Sequence, residues 1–193
     1  YLLRFAGAHA EQPGGQIFQG AVCLAECQLA GKGRRGKHWV SSFGKNIAVS
    51  IGWRFALPPA AIGGLSLVAG MQVVKALRAL GVADVGLKWP NDVLLGKGKV
   101  AGILVEVVPT TGATDVVMGI GINCSLSAAD ADGIDQAWSV LPASAGLSRN
   151  RLCQALLDSV LPALAEFAET GFGPFAAEWP AYNLYRDQLV QVA

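Results

Sequence analysis

Alternation between apolar and small or polar residues over 47–55 constrains the fold of this chain more than any other feature. Ile47, Val49, Ile51, Trp53 and Phe55 are separated by alanine, serine, glycine and arginine. A period of two is typical of a β-strand with one apolar face. A strand needs paired neighbours and a layer that covers its apolar face, so the sequence predicts a sheet with helices packed against it.

The other elements follow from periodicity, glycine and proline. A helix is predicted over 62–80 because apolar residues recur there at three- and four-residue steps, and Gly81 ends it. Ser148 is expected to cap a helix over 149–168, which Pro162 should kink or split. We also predict a helix-like start at 1–10, strands at 21–27, 85–88, 92–95, 100–108 and 116–123, an irregular stretch at 125–147, a short helix at 172–182 and the start of a strand at 186–193. This order predicts an α+β fold with a mixed, largely antiparallel sheet and helices on one face.

Composition indicates one globular domain. The chain has 193 residues, of which 52% are hydrophobic and 15% charged, which suffices for a substantial core. The charge is unevenly divided. Residues 1–99 hold 12 Lys/Arg against 4 Asp/Glu, and residues 100–193 hold 3 against 10. This asymmetry suggests that the first half faces an anionic ligand.

Cysteine and histidine usage argues against a zinc site. The four cysteines form no CxxC pair and there are two histidines. We interpret the cysteines as buried apolar side chains in a reducing compartment. The sequence shows no signal segment and no apolar run of about 18 residues, so we expect a soluble, cytoplasmic protein that does not bind a membrane.

The segment from Gly31 to Trp39 reads GKGRRGKHW and follows a predicted strand. Glycine lets backbone N–H groups approach a ligand closely, and arginine donates charge-assisted hydrogen bonds to carboxylate or phosphate. The third glycine of a dinucleotide fingerprint and the Lys-Ser/Thr ending of a P-loop are both missing. Phosphates would therefore be held by backbone N–H groups together with Arg34 and with Lys32 or Arg35.

A second polar segment, KWPND, joins a strand to a hairpin at 88–92. Pro90 favours an extended Trp89. Asn91 and Asp92 are turn formers in an ordinary hairpin, but beside a phosphate site an aspartate can hold Mg²⁺. Lys99 begins the following strand, which reads KVAGILVE to Glu106.

These two segments together resemble the biotin protein ligase family. The basic loop is similar to the family's G-R-G-R-R-G-x-x-W, and KWPND followed by KVAGILVE is similar to its second motif pair. Ser42-x-Gly44-x-Asn46 and the run GIGIN at 119–123 also fit. The resemblance covers nearly the whole chain. It implies an α+β catalytic domain like those of class II aminoacyl-tRNA synthetases.

The resemblance implies a two-step reaction and a role for each matching residue. Biotin is activated with ATP, with Mg²⁺ as the metal, and then joined to a lysine of a biotin carboxyl carrier protein. Arg34 and Lys99 would be catalytic and would contact the carboxylate and the α-phosphate. The implied biotin-binding residues are Gln28, Gly31, Lys32, Gly33, Arg34, Lys99 and Gly102. The implied ATP-binding residues are Arg35, Trp39, Asn91, Asp92 and Asn123, with Asp92 also the metal ligand.

The chain departs from the family pattern in ways that shape the expected domain organisation. Lys32 stands where the loop usually has arginine, which removes a bidentate donor. The family's Ser-Thr-Asn segment and a DNA-binding helix-turn-helix do not occur in the printed sequence. We expect a catalytic domain over 1–185 and the start of a C-terminal β-domain over 186–193. We expect no DNA binding by this chain, and the sequence leaves a homodimer open.

The sequence leaves two other functions open. A lipoate or octanoate ligase-type enzyme shares the implied fold, but it is not expected to carry both the Arg34-Arg35-Gly36 loop and KWPND. A nucleic-acid-binding module would use the basic first half. Aromatic residues do not interleave with the basic ones beyond Trp39, and no nucleic-acid motif is present.

Overall fold

The computed structural model describes residues 19–189. The predictions for 1–10 and 190–193 lie outside the described residues. A six-stranded sheet forms the centre of the fold, with strand order β1-β2-β6-β5-β4-β3. Every neighbouring pair is antiparallel. The strands are β1 Ala21–Ala25, β2 Asn46–Phe55, β3 Val85–Lys88, β4 Asp92–Leu95, β5 Gly98–Thr110 and β6 Ala113–Asn123.

Three helices accompany the sheet, and the two longer ones cover one of its faces. They are α1 Leu65–Ala79, α2 Arg149–Thr170 and α3 Gly173–Glu178. Helix α1 lies very close to the sheet because Gly70 has no side chain, and a Cβ there would stand 2.7 Å from Leu87. Phe55 of β2 meets Phe167 of α2 edge to face at 5.7 Å. The predicted α+β class, with helices on one face of an antiparallel sheet, is confirmed.

The alternation at 47–55 has the predicted consequence. Ile47, Val49, Ile51 and Phe55 are each 3% exposed or less and belong to the core under the helices. Ser50 lies on the opposite face and pairs with Gly119 of β6. It is nevertheless buried, because the sequence following β1 covers that side. The second face of the sheet is therefore where a site can form.

Several boundaries differ from those predicted. The first helix begins at Leu65, after a 3-10 turn over Pro59–Ile62. Helix α2 runs unbroken through Pro162, so the predicted split does not occur. Pro162 is exposed, and a carbonyl left without its helical partner there can bond to water. Residues 186–189 form turn and bend instead of a strand. Ser148 caps α2 as predicted, accepting from the Arg151 N–H at 3.3 Å.

The most apolar helical segment belongs to the core. Pro59–Ala79 has the length and mean hydropathy, 1.6, of a membrane-crossing helix, but 61% of its apolar stretch is buried in the protein. Packing between the sheet and α2 accounts for its hydropathy. The four cysteines are free and half-buried, which is less burial than predicted.

Candidate active site

The basic loop folds as a small hairpin. The Trp39 N–H donates to the Gly31 carbonyl at 2.9 Å, and the Gly33 N–H donates to Lys37 O at 2.7 Å. Gly31 is required at the base of the loop, because a Cβ there would lie 2.5 Å from the Trp39 carbonyl oxygen. Arg35 at the tip has φ of 56°. This gives the loop a defined shape above the open face of the sheet.

The floor of the site is a trough in the sheet made by missing side chains. Gly102 of β5 pairs with Gly121 of β6, and Gly119 pairs with Ser50 of β2. The Trp39 ring fills part of the trough, since a Cβ on Gly121 would stand 2.4 Å from it. Glycines on one face of adjacent strands therefore make room for both an indole ring and a ligand.

Two adjoining clefts lie in this trough. The larger has a volume of about 630 Å³ including its open mouth, and the smaller about 320 Å³. Both are lined by Trp39 and Lys99. The larger is also lined by Gln28, Ser50, Leu104, Glu106 and Val117, and the smaller by His38, Asn123, Ile134, Gln136 and Trp138. Groups bound in the two clefts would meet at Lys99.

Lys99 is a fixed cation at this junction. Its Nζ lies 2.7 Å from Asp92 Oδ1, and both side chains are mostly buried, at 16% and 19% exposed. The same Nζ stands 5.7 Å from the centre of the Trp39 ring, within the range of a cation–π interaction. The ammonium is therefore held in place before any ligand arrives.

Arg34 supplies a second cation, which also lines the larger cleft. Its Nη1 donates to Asn91 Oδ1 at 3.1 Å, and Asn91 Nδ2 donates to the Ile103 carbonyl at 3.0 Å. Both Arg34 and Asn91 line the larger cleft. The loop and the KWPND segment, 57 residues apart in sequence, thus meet over one cavity.

The larger cleft is lined by a buried hydroxyl that makes no hydrogen bond to the described residues. Ser50 is 1% exposed, and its Oγ has no hydrogen-bond partner among the described residues. Gln28, 8% exposed, lines the same cleft. Buried polar atoms are normally hydrogen-bonded, so this cleft suits a ligand with polar groups at one end. The sequence analysis missed Ser50, which the alternation at 47–55 places on the face opposite the core.

Most of the predicted site residues come together. Gln28, Lys32, Gly33, Arg34, Trp39, Asn91, Lys99 and Gly102 line the larger cleft, and Asn123 lines the smaller one. Gly31 shapes the loop base, and Asp92 acts on Lys99. Arg35, at the tip of the loop, is exposed and lines neither cleft. The Asn123 amide donates to the Lys99 and Ser139 carbonyls, both at 3.3 Å, which fixes the start of β5.

Part of the charge asymmetry is compensated by ion pairs within the fold. Several cations of the first half pair with acids of the second: Lys37 with Asp135, Lys45 with Asp130, Arg54 with Asp115 and Lys75 with Glu178. Much of the asymmetry is therefore neutralised within the fold. Over residues 19–189 no cluster of three metal-ligating side chains occurs.

Comparisons with known proteins agree with this site. The model of the biotin/lipoate A/B protein ligase family matches residues 14–123. The bifunctional ligase/repressor BirA of Salmonella typhimurium is 41% identical over 180 residues, which is 92% of this chain and 56% of BirA. The biotin–[acetyl-CoA-carboxylase] ligase of Mycobacterium tuberculosis is 40% identical over 188 residues, covering 95% of this chain and 68% of that protein. This chain thus spans about half the length of BirA.

A solved structure shares the fold. The biotin protein ligase from Aquifex aeolicus in complex with biotin and ATP superposes with a TM-score of 0.72 at 26% identity, covering 93% of this chain and 75% of that one. The range 14–123 matched by the family model includes both motifs, the glycine trough and the residues that line the larger cleft. The chain therefore belongs to the biotin/lipoate A/B protein ligase family, and its relatives within that family are biotin protein ligases.

Proposed function

We propose that this protein is an ATP-dependent biotin protein ligase. It would join biotin and ATP to form biotinyl-5′-AMP and pyrophosphate, and then transfer the biotinyl group to a lysine of a biotin carboxyl carrier protein. The observation that carries this proposal is the pair of clefts that meet at Lys99 and Trp39. A carboxylic acid in one and a nucleotide in the other would have their reacting ends at a fixed cation.

The first step requires that two anions approach each other. The biotin carboxylate attacks the α-phosphorus, a P–O bond forms, and the bond to the pyrophosphate leaving group breaks. Lys99 lies where the clefts meet and Arg34 lines the larger cleft, and their charges would offset the repulsion and stabilise the charge of the transition state. The carboxylate is already ionised near neutral pH, so this step needs no general base.

The shape of each cleft suits its proposed occupant. The hydroxyl of Ser50 and the amide of Gln28 would meet the polar ureido end of biotin, while Leu104, Val117 and the glycine floor face its apolar part. Lys32 and Gly33 would cover it from the loop. Trp39 and Trp138 border the smaller cleft, where flat aromatic surfaces would stack on adenine. In the second step the acceptor amine attacks the acyl carbon, AMP leaves and the amine loses a proton.

Mg²⁺ fits this site as a partner of the nucleotide. Mg²⁺ is usually held by one or two carboxylates together with substrate phosphates, and needs no cage of protein ligands. Asp92, beside Lys99 at the cleft junction, would be the carboxylate. When bound, the ion would neutralise phosphate charge. Asn91 immediately precedes Asp92 in the chain, at the end of the turn that leads into β4.

The remaining expectations belong to the same proposal. The free thiols of the described structure agree with a reducing, cytoplasmic compartment. The pairing of first-half cations within the fold leaves less basic surface for DNA, in keeping with the expectation that this chain does not bind it. A homodimer and the carrier protein are the proposed protein partners.

Exchange of labelled pyrophosphate into ATP tests the proposal, with biotin and lipoate as parallel acids. We expect exchange that depends on biotin and not on lipoate, because Ser50 and Gln28 provide polar partners for a ureido group that lipoate lacks. Exchange with lipoate alone would transfer the assignment to lipoate ligases. Release of biotinyl-lysine product with a purified carrier protein would then test the second step.

A further inference from the structure

The oxygen and the nitrogen of the Asn91 side-chain amide each form a hydrogen bond with another residue of the protein. Its Oδ1 accepts from Arg34 Nη1 at 3.1 Å, and its Nδ2 donates to the Ile103 carbonyl at 3.0 Å. Its own backbone carbonyl accepts from the Ile103 N–H at 3.0 Å. A guanidinium only donates and a carbonyl only accepts, so these partners fix the orientation of the amide.

Asn91 thereby connects the loop to the sheet. Ile103 is 2% exposed and lies in the centre of β5. Arg34, in contrast, is exposed, and its guanidinium lies at the end of a flexible side chain. Among the described residues, Asn91 is the one side chain that hydrogen-bonds to the Arg34 guanidinium. An arginine with several rotatable bonds loses much conformational entropy when it is ordered. Because Asn91 is attached to the sheet and already orders the Arg34 side chain, part of this entropy is lost before ligand binds.

We propose that Asn91 is a positioning residue that sets the place of the Arg34 guanidinium over the larger cleft, and not a direct ligand of ATP. The proposal rests on the function proposed above, because it concerns the arginine that would hold the adenylate. Preorganised charge is worth more than charge that must be ordered during the reaction. Asn91 would thus act on biotinyl-adenylate through Arg34.

A double-mutant cycle separates the two roles. Asn91→Ala should raise the rate of biotinyl-adenylate release by about tenfold, the effect of one hydrogen bond to a charged group. Arg34→Ala should raise it further. The double variant should match Arg34→Ala within about twofold, because a positioning residue has nothing left to position. If the two effects multiply instead, Asn91 contacts the ligand directly and the inference is overturned.

Trypsin provides a readout that does not depend on activity. The loop contains cleavable bonds after Arg34 and Arg35, and losing the Asn91 tether should speed cleavage there several-fold in the free protein. Ser66→Ala is the matched control. Ser66 Oγ donates to the Pro90 carbonyl at 3.1 Å, so it supports the same turn without touching Arg34, and its loss should leave cleavage unchanged.

The two readouts distinguish failure of the inference from failure of the proposed function. If the unmutated protein forms no biotinyl-adenylate, the proposed function fails, and the trypsin assay still decides whether Asn91 holds Arg34. If Asn91→Ala and the unmutated protein are cut in the loop at equal rates, the tether does not operate and the inference fails, whatever the activity.

Discussion

Lys99 shows how neighbouring residues determine the position of one side chain. A lysine at the start of a hairpin strand is ordinarily solvent-facing, yet here Asp92 and the Trp39 ring hold it at the junction of two clefts. Asp92 comes from β4, which is adjacent to β5 in the sheet. The pairing of these strands thus provides both the cation and the anion that orients it.

Lys99→Ala should slow adenylate formation by about 10²- to 10³-fold, as removal of one transition-state donor does. Single-turnover kinetics with biotin and ATP measure this directly. Lys97→Ala is the control, because Lys97 is exposed on the turn that precedes β5 and lines neither cleft. A normal single-turnover rate in Lys99→Ala would contradict the catalytic role.

Gly121→Ala should destabilise the protein by about 1–3 kcal/mol, the usual cost of overpacking, because the new Cβ would lie 2.4 Å from the Trp39 ring. Displacing the ring should also weaken binding in both clefts. Urea unfolding measures the loss of stability. Gly119→Ala is the matched control, since its Cβ would meet only Leu104, no closer than 3.7 Å; equal losses in the two variants would argue against the packing explanation.

Helix α2 illustrates how tertiary packing overrides a local signal. Pro162 removes one backbone hydrogen bond, but Val160, Ala163, Leu164 and Phe167 on the buried face carry the helix across that point. The proline itself is on the exposed side. A local rule predicted a break, and burial of the apolar stripe on either side prevented it.

Pro162→Ala should therefore stabilise the protein by about 1–3 kcal/mol, because alanine restores the backbone N–H and is the better helix former. Thermal unfolding followed by circular dichroism would show a higher midpoint. Ala165→Gly, at a neighbouring exposed position, should shift the midpoint in the opposite direction. A lower midpoint in Pro162→Ala would mean that proline's restriction of the unfolded chain outweighs its cost in the helix.

The sequence was sufficient for the strands, the capped helix and most cleft residues, because these follow from local periodicity and from two motifs. It could not reveal which face of the sheet the motifs would share. Ser50 and the partnership of Arg34 with Asn91 depend on strand register and on contacts across 57 residues. Arg35, which the resemblance assigns to ATP, is exposed and lines neither cleft, and its positive φ belongs to a folded turn that the sequence does not show.

Across the whole molecule, ion pairs connect the basic first half to the acidic second half. Lys45, which lies between the basic loop and β2, pairs with Asp130 at 2.6 Å, and Asp130 is 17% exposed. Asp130 also accepts from the Ser127 N–H at 2.9 Å. These bonds fasten the irregular stretch after β6, whose later residues form the outer wall of the smaller cleft.

Asp130 should accordingly make stability depend on pH in acid. The carboxyl accepts hydrogen bonds from Lys45, which has the largest effect, and from Ser127, and these bonds lower its pKa. Because the folded state holds this proton less tightly than the unfolded state, the contribution is complete above the ordinary pKa of about 3.9 and is lost as pH falls toward the lower folded-state pKa. Asp130→Asn should remove that part of the acid dependence, giving a shallower fall in unfolding free energy below about pH 4.

Asp132→Asn, on the same stretch but exposed and outside any ion pair of the described residues, should keep the steeper profile. Parallel curves for Asp130→Asn and the unmutated protein would show that this pair does not connect the two halves in solution.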